Sequence, residues 1–238
     1  MKRLLALALV LSACSGGSSS HQQRTITVFA AASLNRAFTG MARAFQDSHP
    51  GLKVELSFAG SQSLAAQVRE GAQADVLATA DVATATSVAR QLNGAPLVFA
   101  HNALALLTPT DNRAHVTTLA DLGRKDVKVV LAGPTVPVGK AAAKALKAAH
   151  VTVHPVSLED AVTGVVTKVR LGEADAGIAY VTDLVGATGI AGTALPGTET
   201  DLAIAPIAGI TDPEDADAFI AFVRSPTGVK IMESWGFT

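Results

Sequence analysis

The sequence is poor in cysteine, in aromatic residues and in clustered charge, and each shortage excludes a class of protein. One cysteine, Cys14, stands in 238 residues, so a disulfide framework and a cysteine-based metal cluster are excluded. Aromatic residues make up only 4% of the chain, so the core must be built from small aliphatic side chains. The formal net charge is −1 and there is no lysine- or arginine-rich run, which argues against a nucleic-acid partner.

A long apolar run is also missing. The first 13 residues, MKRLLALALVLSA, carry two basic residues and an apolar stretch of roughly 8 residues, the pattern of a bacterial export signal. A membrane-spanning helix needs roughly 20 apolar residues, so residues 1–13 are predicted to be a signal peptide instead.

The end of this signal contains the motif LSAC, which resembles a bacterial lipobox. Cleavage there would leave Cys14 as a lipid-bearing N-terminus, and residues 14–23 would form a polar Gly/Ser-type tether. The alternative is an incidental cysteine within a plain signal peptide. We predict lipidation of Cys14 and a folded domain at the outer face of the cytoplasmic membrane. Loss of Lys2 and Arg3 then leaves 17 basic and 20 acidic residues, a formal charge of −3.

The remaining chain, about 215 residues, is long enough for one large or two small domains. Apolar segments with strand character alternate with segments of helical periodicity. The predicted strands are 25–31, 52–59, 74–80, 96–110 with a polar break at 101–102, 127–133, 174–183 and 202–210. The predicted helices are one starting at 34, then 61–71, 81–92, 118–122, 140–150, 160–172 and 214–225. This alternation predicts an α/β fold with largely parallel sheets.

Two serines lie where such folds bind ligands, beyond the carboxyl ends of strands and next to helix starts. Ser33 follows the first predicted strand and Ser61 follows the second, and each is expected to open a helix. Serine is a good N-cap, so both residues have a purely structural explanation. A helix start that faces a cleft also binds anions, and the pattern alone leaves both explanations open.

Motifs for catalysis or nucleotide binding are weak. The six histidines are scattered, and no pair has the HxxxH or HExxH spacing of a metal site. The stretch GPTVPVGKA (133–141) superficially resembles a phosphate-binding loop, but five residues separate its glycines where four are required, and Ala141 replaces the magnesium-binding hydroxyl. Its turn still precedes a helix start, so N–H groups at Val136 and Val138 are available to an anion.

Four segments together resemble the periplasmic molybdate-binding proteins, the substrate-binding components of molybdate ABC importers. They are ITVFAAASL, SFAGSQSLAAQVREGAQADVLATAD, EDAVTGVVTKVRLGEADAGIAYVTD and the terminal GFT. The resemblance extends from Thr25 to Thr238. It implies an α/β, two-lobed periplasmic binding protein fold of type II, in which each lobe is a mostly parallel sheet flanked by helices and the ligand lies in the hinge cleft. Lobe one is implied at 24–101 plus 206–238, and lobe two at 102–205.

The resemblance also implies how the ligand is held, with donors from both lobes closing over a dehydrated oxyanion. By motif, the donors are the hydroxyls of Ser33, Ser61 and Tyr180 and the N–H groups of Val136 and Val162. Hydroxyl and N–H groups donate to an anion, and helix dipoles supply part of the charge balance. The set contains no lysine or arginine. It also contains no carboxylate, which a protonated oxyanion would need as an acceptor, so this neutral set suits an anion that stays deprotonated. The chain departs from some relatives at Gly60, where serine is common, and in a turn before Val136 that is one residue shorter.

These observations predict a monomeric binding protein rather than an enzyme. It would capture molybdate, and tungstate as well, and deliver the anion to an ABC transporter permease without any cofactor. Molybdenum would enter only as the bound oxyanion. Sulfate remains an alternative, because discrimination would lie in cavity size, which the sequence does not reveal. An exported serine hydrolase with Ser33 as nucleophile is an alternative of another class, although no G-x-S-x-G elbow surrounds Ser33 or Ser61.

Overall fold

The computed structural model describes residues 24–238. The predicted export signal at 1–13, the predicted lipidation site Cys14 and the rest of the tether at 14–23 lie outside these residues. Across 24–238, no helix combines the length and the apolar character needed to cross a membrane.

The described chain contains two five-stranded sheets with the same spatial arrangement. The first sheet is built from β1 (Arg24–Ala31), β2 (Leu52–Ala59), β3 (Val76–Thr79), β4 (Leu97–Asn102) and β10 (Thr200–Pro206). The second is built from β5 (Leu104–Pro109), β6 (Val129–Ala132), β7 (Ser157–Glu159), β8 (Ala176–Tyr180) and β9 (Ile190–Ala194). The strand orders are β2-β1-β3-β10-β4 and β7-β6-β8-β5-β9.

Each sheet has one strand that runs against the others. β1 is parallel to β2 and β3, whereas β10 is antiparallel to β3 and β4. In the same way β6 is parallel to β7 and β8, and β5 is antiparallel to β8 and β9. The α/β two-lobed fold is thus confirmed, with four strands of each sheet pointing one way. The sheets are nevertheless mixed, because the reversed strand is the one that enters from the other sheet.

The helices flank the two sheets unequally. Those packed around the first sheet are α1 (Asn35–Ser48), α2 (Ser61–Arg69), α3 (Val82–Thr86), α6 (Pro213–Val223) and α7 (Pro226–Ser234). Those packed on the second sheet are α4 (Pro137–Ala148) and α5 (Val162–Arg170). We call the first sheet with its helices lobe one and the second sheet with its helices lobe two.

The chain crosses between the lobes twice, at Ala103 and again between β9 and β10. The predicted boundary at 205/206 is therefore wrong. Residues 200–205 belong to lobe one, because β10 pairs with β3 on one side and β4 on the other. The second crossing lies at 195–199, before β10 begins.

The central strand of lobe one is fixed by packing on both of its faces. Val28 of β1 is buried in the cluster that contains Phe45 of α1 and Phe219 of α6, whose rings meet edge to face at 5.3 Å. The next residue, Phe29, points to the opposite face and is buried with Leu64 of α2. Alternation of this kind is what a strand buried on both faces requires. The end of β1, and the turn that follows it, are thereby held in place.

The helix predicted at 81–92 is shorter and broken. It consists of α3 at Val82–Thr86 and a separate 3-10 turn at Ala89–Gln91. The hydroxyl of Thr86 donates to the carbonyl of Val82 (2.9 Å), and the hydroxyl of Ser87 donates to that of Thr84 (2.7 Å). Hydroxyl side chains that bond the local main chain compete with helix continuation, which explains the early end of α3.

One helix boundary and one whole helix also differ from the sequence prediction, and both involve a proline at the start of the helix. The helix expected to start at Lys140 begins at Pro137, and proline is well suited to the first helical position. The helix α7 was not predicted at all. The pair Ser225-Pro226 was its signal in the sequence, an N-cap residue followed by proline. In the structure the side chain of Ser225 accepts the N–H of Gly228 (3.2 Å) and so caps α7.

Candidate functional site

The five residues expected to hold a ligand line one small cavity between the lobes. The lining residues from lobe one are Ala31, Ala32, Ser33, Gly60, Ser61 and Ala80, and those from lobe two are Val136, Pro137, Val138, Val162 and Tyr180. None of these lining residues has a charged side chain. The cavity is therefore a neutral chamber whose polar groups are hydroxyls and main-chain groups.

The two serines face this cavity, but neither is a helix cap. Ser33 lies inside a 3-10 turn, Ala32–Leu34, that is inserted between β1 and α1, and Leu34 takes the N-cap position of α1. Ser61 is the first residue of α2, whose N-cap is Gly60. The expectation that Ser33 caps a helix is therefore wrong, because the inserted turn moves the helix start past it.

The hydroxyls differ in how their hydrogen-bonding capacity is used. The Oγ of Ser61 accepts the N–H of Ala80 (3.0 Å), so its own O–H remains to be donated. Among residues 24–238, the buried Oγ of Ser33 and Oη of Tyr180 make no hydrogen bond of normal geometry, although the side chain of Thr200 lies near enough to the phenol to act against the rise of its pKa. Buried hydroxyls are usually paired, so two unpaired ones on a single cavity call for an explanation. A ligand that accepts hydrogen bonds supplies one.

Tyr180, which ends β8, is only 2% exposed. Burial, and to a smaller extent the negative charges of Asp81 and Asp183, raise the pKa of its phenol above the usual value. The phenol therefore stays protonated and is available as a donor. Its main chain is fixed as well, because the carboxylate of Asp183 accepts the N–H of Tyr180 (2.9 Å). Burial raises the pKa of Asp183 to about 6, although that hydrogen bond and the charge of Arg36 act in the opposite direction.

Three α-helices begin at the cavity wall. α2 starts at Ser61, α4 at Pro137 and α5 at Val162, and all three residues line the cavity. Each helix start carries about +0.5 of an elementary charge, so together the three provide on the order of +1.5. That field comes from both lobes and favours an anion without any cationic side chain in the lining.

The two main-chain N–H groups implied by motif, those of Val136 and Val162, differ in whether they already have a hydrogen-bond partner. The N–H of Val162 lies at the first position of α5, where it has no partner within the helix. The N–H of Val136, in contrast, already donates to the carbonyl of Gly133 (3.0 Å). Val138 lies in the first turn of α4 and also lines the cavity, so its N–H is a second candidate on that side. Pro137 could have indicated this donor from the sequence, because a proline at the first helical position places Val138 at the second.

Side-chain contacts bridge the lobes around the cavity. The Nζ of Lys140 in lobe two lies 2.9 Å from Oδ2 of Asp81 in lobe one. The Nε2 of Gln62 donates to the carbonyl of Asp160 across the same gap (2.7 Å). These contacts show that the structure describes the lobes in a closed arrangement.

A third bridge uses Arg36 of α1. Its guanidinium donates to the carbonyl of Thr182 (2.6 Å) and also to that of Val185, both in lobe two. The same guanidinium lies over the ring of Trp235, 4.8 Å from the ring centroid. Trp235, the single tryptophan of the chain, is therefore linked through Arg36 to the opposite lobe.

At Gly60 the main chain of lobe one comes close to lobe two beside the cavity. A Cβ atom at this position would overlap the carbonyl oxygen of Asp160 and would lie within 2.7 Å of the amide of Gln62. Its backbone conformation is an ordinary one (φ −58°), so the requirement for glycine here is one of space. The departure from relatives at Gly60 thus coincides with this contact between the lobes.

Groups needed for other chemistries do not assemble here. In the part of the chain that the structure describes, no cluster of three or more histidine, cysteine, aspartate or glutamate side chains is arranged to hold a metal ion. Neither Ser33 nor Ser61 is hydrogen-bonded to a histidine within residues 24–238, the arrangement that commonly activates a serine nucleophile.

Comparison with known sequences gives a consistent family. The profile of the family described as bacterial extracellular solute-binding protein matches residues 26–238. The molybdate-binding protein ModA of Mycobacterium tuberculosis is 40% identical over 220 residues, which cover 90% of this chain and 84% of that protein. The molybdate-binding protein ModA of Escherichia coli is 30% identical over 247 residues, covering 96% of this chain and 94% of that protein.

Comparison with solved structures supports the same fold. The periplasmic molybdate-binding protein of Azotobacter vinelandii superposes with a TM-score of 0.74 at 19% identity, covering 90% of this chain and 98% of that one. The sulfate-binding protein SubI of Mycobacterium tuberculosis superposes with a TM-score of 0.75, also at 19% identity, covering 90% of this chain and 86% of that one. At such identities the likeness concerns the fold and does not distinguish the anion.

Proposed function

The chain belongs to the bacterial extracellular solute-binding protein family, and from that premise we propose that it captures molybdate and delivers it to a membrane ABC importer. The observation that carries this proposal is the pair of buried, unpartnered hydroxyls of Ser33 and Tyr180 on one cavity between the lobes. A tetrahedral oxyanion presents acceptors in several directions at once. It can therefore satisfy donors that converge from opposite walls.

The charge of the ligand follows from the lining. Three helix starts favour negative charge, and none of the lining side chains is a carboxylate that would repel it or accept a proton from it. A partly protonated anion would bring O–H groups that need acceptors. The cavity offers mainly donors, so it suits an oxyanion that is fully deprotonated at neutral pH.

Molybdate is favoured over sulfate by kinship. Relatives at 40% and 30% identity bear the name molybdate-binding protein, whereas the likeness to a sulfate-binding protein is at 19% identity. Tungstate has nearly the same size and charge as molybdate and is proposed to bind as well. The proposed ligand set is Ser33, Ser61, Tyr180, Val162 and a main-chain donor of the 136–138 turn.

The proposed location follows from the first residues. The family is extracellular by description. We propose in addition that Cys14 carries a lipid that holds the protein at the outer face of the cytoplasmic membrane, where it serves the permease as a monomer. A Cys14→Ser variant is expected to leave the membrane fraction while binding the anion unchanged. Wild-type protein that is wholly soluble and carries an unmodified cysteine would refute the anchor.

The test of function is a set of parallel thermal melts with molybdate, tungstate, sulfate and phosphate. Ligand at about 100 times its dissociation constant adds about 2.7 kcal/mol to the free energy of unfolding. For a chain of this size, about 1 kcal/mol shifts the melting temperature by roughly 2–4 °C, so a rise of roughly 5–11 °C is expected with molybdate and tungstate. Sulfate and phosphate should give little change. A flat response to all four anions would refute the proposed function.

A further inference from the structure

One charged contact lies immediately outside the neutral cavity and joins the two lobes. Besides Asp81, the Nζ of Lys140 approaches the hydroxyl of Thr84 at 3.0 Å. Asp81 is held from within its own lobe, because its other carboxylate oxygen accepts the N–H of Thr84 as the N-cap of α3. The ion pair is half-buried, with side-chain exposures of 39% for Lys140 and 19% for Asp81.

Both partners are tied to the cavity wall by the chain. Asp81 directly follows Ala80, a lining residue of lobe one, and Lys140 lies in the first turn of α4, which begins at the lining residue Pro137. Pro137 also belongs to a neighbouring groove that contains Asp81 and Lys140. The carboxylate of Asp81 is therefore beside the site proposed for a dianion.

The charge of Asp81 reaches that site. After burial, it is the next largest cause of the raised pKa of Tyr180, whose hydroxyl lines the cavity. A carboxylate that disfavours the phenolate also disfavours a bound oxyanion, because both place negative charge at the same wall. Lys140 is the cation that contacts this carboxylate.

We propose that Lys140 is a positioning residue for the oxyanion site, which neutralises Asp81 as the lobes close and so removes a repulsion that would oppose anion binding. This role rests on the proposed function. The alternative role is a simple latch, in which the attraction between Lys140 and Asp81 holds the lobes together and the loss of either charge weakens binding. The two roles predict different behaviour when the carboxylate alone is removed.

The experiment measures the dissociation constant of molybdate by calorimetry for wild type, Lys140→Met, Asp81→Asn and the double variant. Asparagine is an equally good N-cap, so Asp81→Asn removes the charge and keeps the start of α3. Lys140→Met is expected to weaken binding about tenfold, about 1.4 kcal/mol. Asp81→Asn removes the repulsion and leaves Lys140 charged, so it is expected to bind at least as tightly as wild type. The double variant has neither charge and is expected to stay within about twofold of wild type.

The matched control is Lys144→Met, which removes the same charge one helical turn further along α4 in the same groove. It is expected to change the dissociation constant by less than about twofold. The defect of Lys140→Met should shrink as salt is raised, since a partly exposed charge is screened. A structural defect would not depend on salt in this way.

Several results would overturn the proposal. Wild-type affinity in Lys140→Met would show that the repulsion is absent. Loss in Asp81→Asn equal to that in Lys140→Met would make the pair a latch. If wild type binds none of the four anions, the proposed function fails, and the ion pair is then judged on ligand-free melting temperatures. In that case, destabilisation by Lys140→Met without destabilisation by Asp81→Asn supports neutralisation, and equal destabilisation by the two single variants refutes it.

Discussion

Removal of the cavity hydroxyls should change stability and affinity in opposite directions. Ser33→Ala and Tyr180→Phe each delete a buried hydroxyl that has no hydrogen-bond partner among residues 24–238. A buried polar group without a hydrogen bond costs about 1–3 kcal/mol. Both ligand-free variants are therefore expected to be at least as stable as wild type, with melting temperatures higher by up to roughly 2–4 °C for each kcal/mol regained.

Ser61→Ala is the internal comparison, because the same atom is deleted in a different environment. The Oγ of Ser61 accepts the N–H of Ala80, and that N–H is left without its partner in the variant. Ser61→Ala should thus lose about 1–3 kcal/mol of stability. The free energy of unfolding is thus expected to stay level or rise in Ser33→Ala and to fall in Ser61→Ala.

Affinity should fall in all three variants. A hydrogen bond to a charged group contributes about 1.5–3 kcal/mol, and about 1.4 kcal/mol corresponds to a tenfold change in the dissociation constant. Each variant should therefore bind molybdate roughly 10- to 150-fold more weakly, with Tyr180→Phe at or below the loss seen for the serines. Denaturant unfolding without ligand and calorimetric titration with molybdate measure the two quantities separately. Unchanged affinity in both serine variants would mean that the anion binds elsewhere, and destabilisation by Ser33→Ala would mean that its hydroxyl has a partner.

Two further predictions concern the supports of the site. Burial raises the pKa of Asp183 from 3.8 to about 6, so the folded state binds this proton more tightly than the unfolded state. The stability that results is complete below pH 3.8 and is lost as the pH rises through about 6, a difference of about 3 kcal/mol. Asp183→Asn should abolish this difference. If the free energy of unfolding changed equally with pH in wild type and variant between pH 4 and 7, the prediction would be contradicted. Gly60→Ala should weaken anion binding without unfolding lobe one, because the added Cβ meets the carbonyl of Asp160 only when the lobes are closed; wild-type affinity would show that this contact can yield.

The alternation of strands and helices was sufficient to predict the fold class and to place Ser33 and Ser61 at strand ends, and the resemblance implied that both contact one ligand. The carboxyl ends of β1 and β2 lie next to each other because the two strands are parallel and paired in register, Ala31 opposite Ala59. Any residues that directly follow these strands must then share an edge of the sheet. The pairing of β1 with β2, on which this depends, is not given by the alternation of elements.

The roles of the same serines could not be predicted, because they depend on a single inserted turn. Whether a serine after a strand caps a helix depends on where the helix begins, and the 3-10 turn Ala32–Leu34 shifts that start by a few residues. Local sequence describes such shifts poorly. Contacts between the lobes, such as that of Lys140 with Asp81, were beyond the sequence for another reason. They join residues from separate lobes that no periodicity relates.

The closed arrangement places two hydroxyl donors on one cavity, and among residues 24–238 the hydroxyls of Ser33 and Tyr180 have no hydrogen-bond partner. A buried hydroxyl left without any hydrogen bond carries a penalty of about 1–3 kcal/mol. The bridges made by Arg36, Gln62 and Lys140 act against this penalty but are partly exposed and individually weak. An oxyanion that accepts from both hydroxyls would remove this penalty and so stabilise the closed arrangement. Under the proposed function, donors that converge from both lobes would couple anion capture to lobe closure, and we expect the transporter to distinguish loaded from empty protein by that closure.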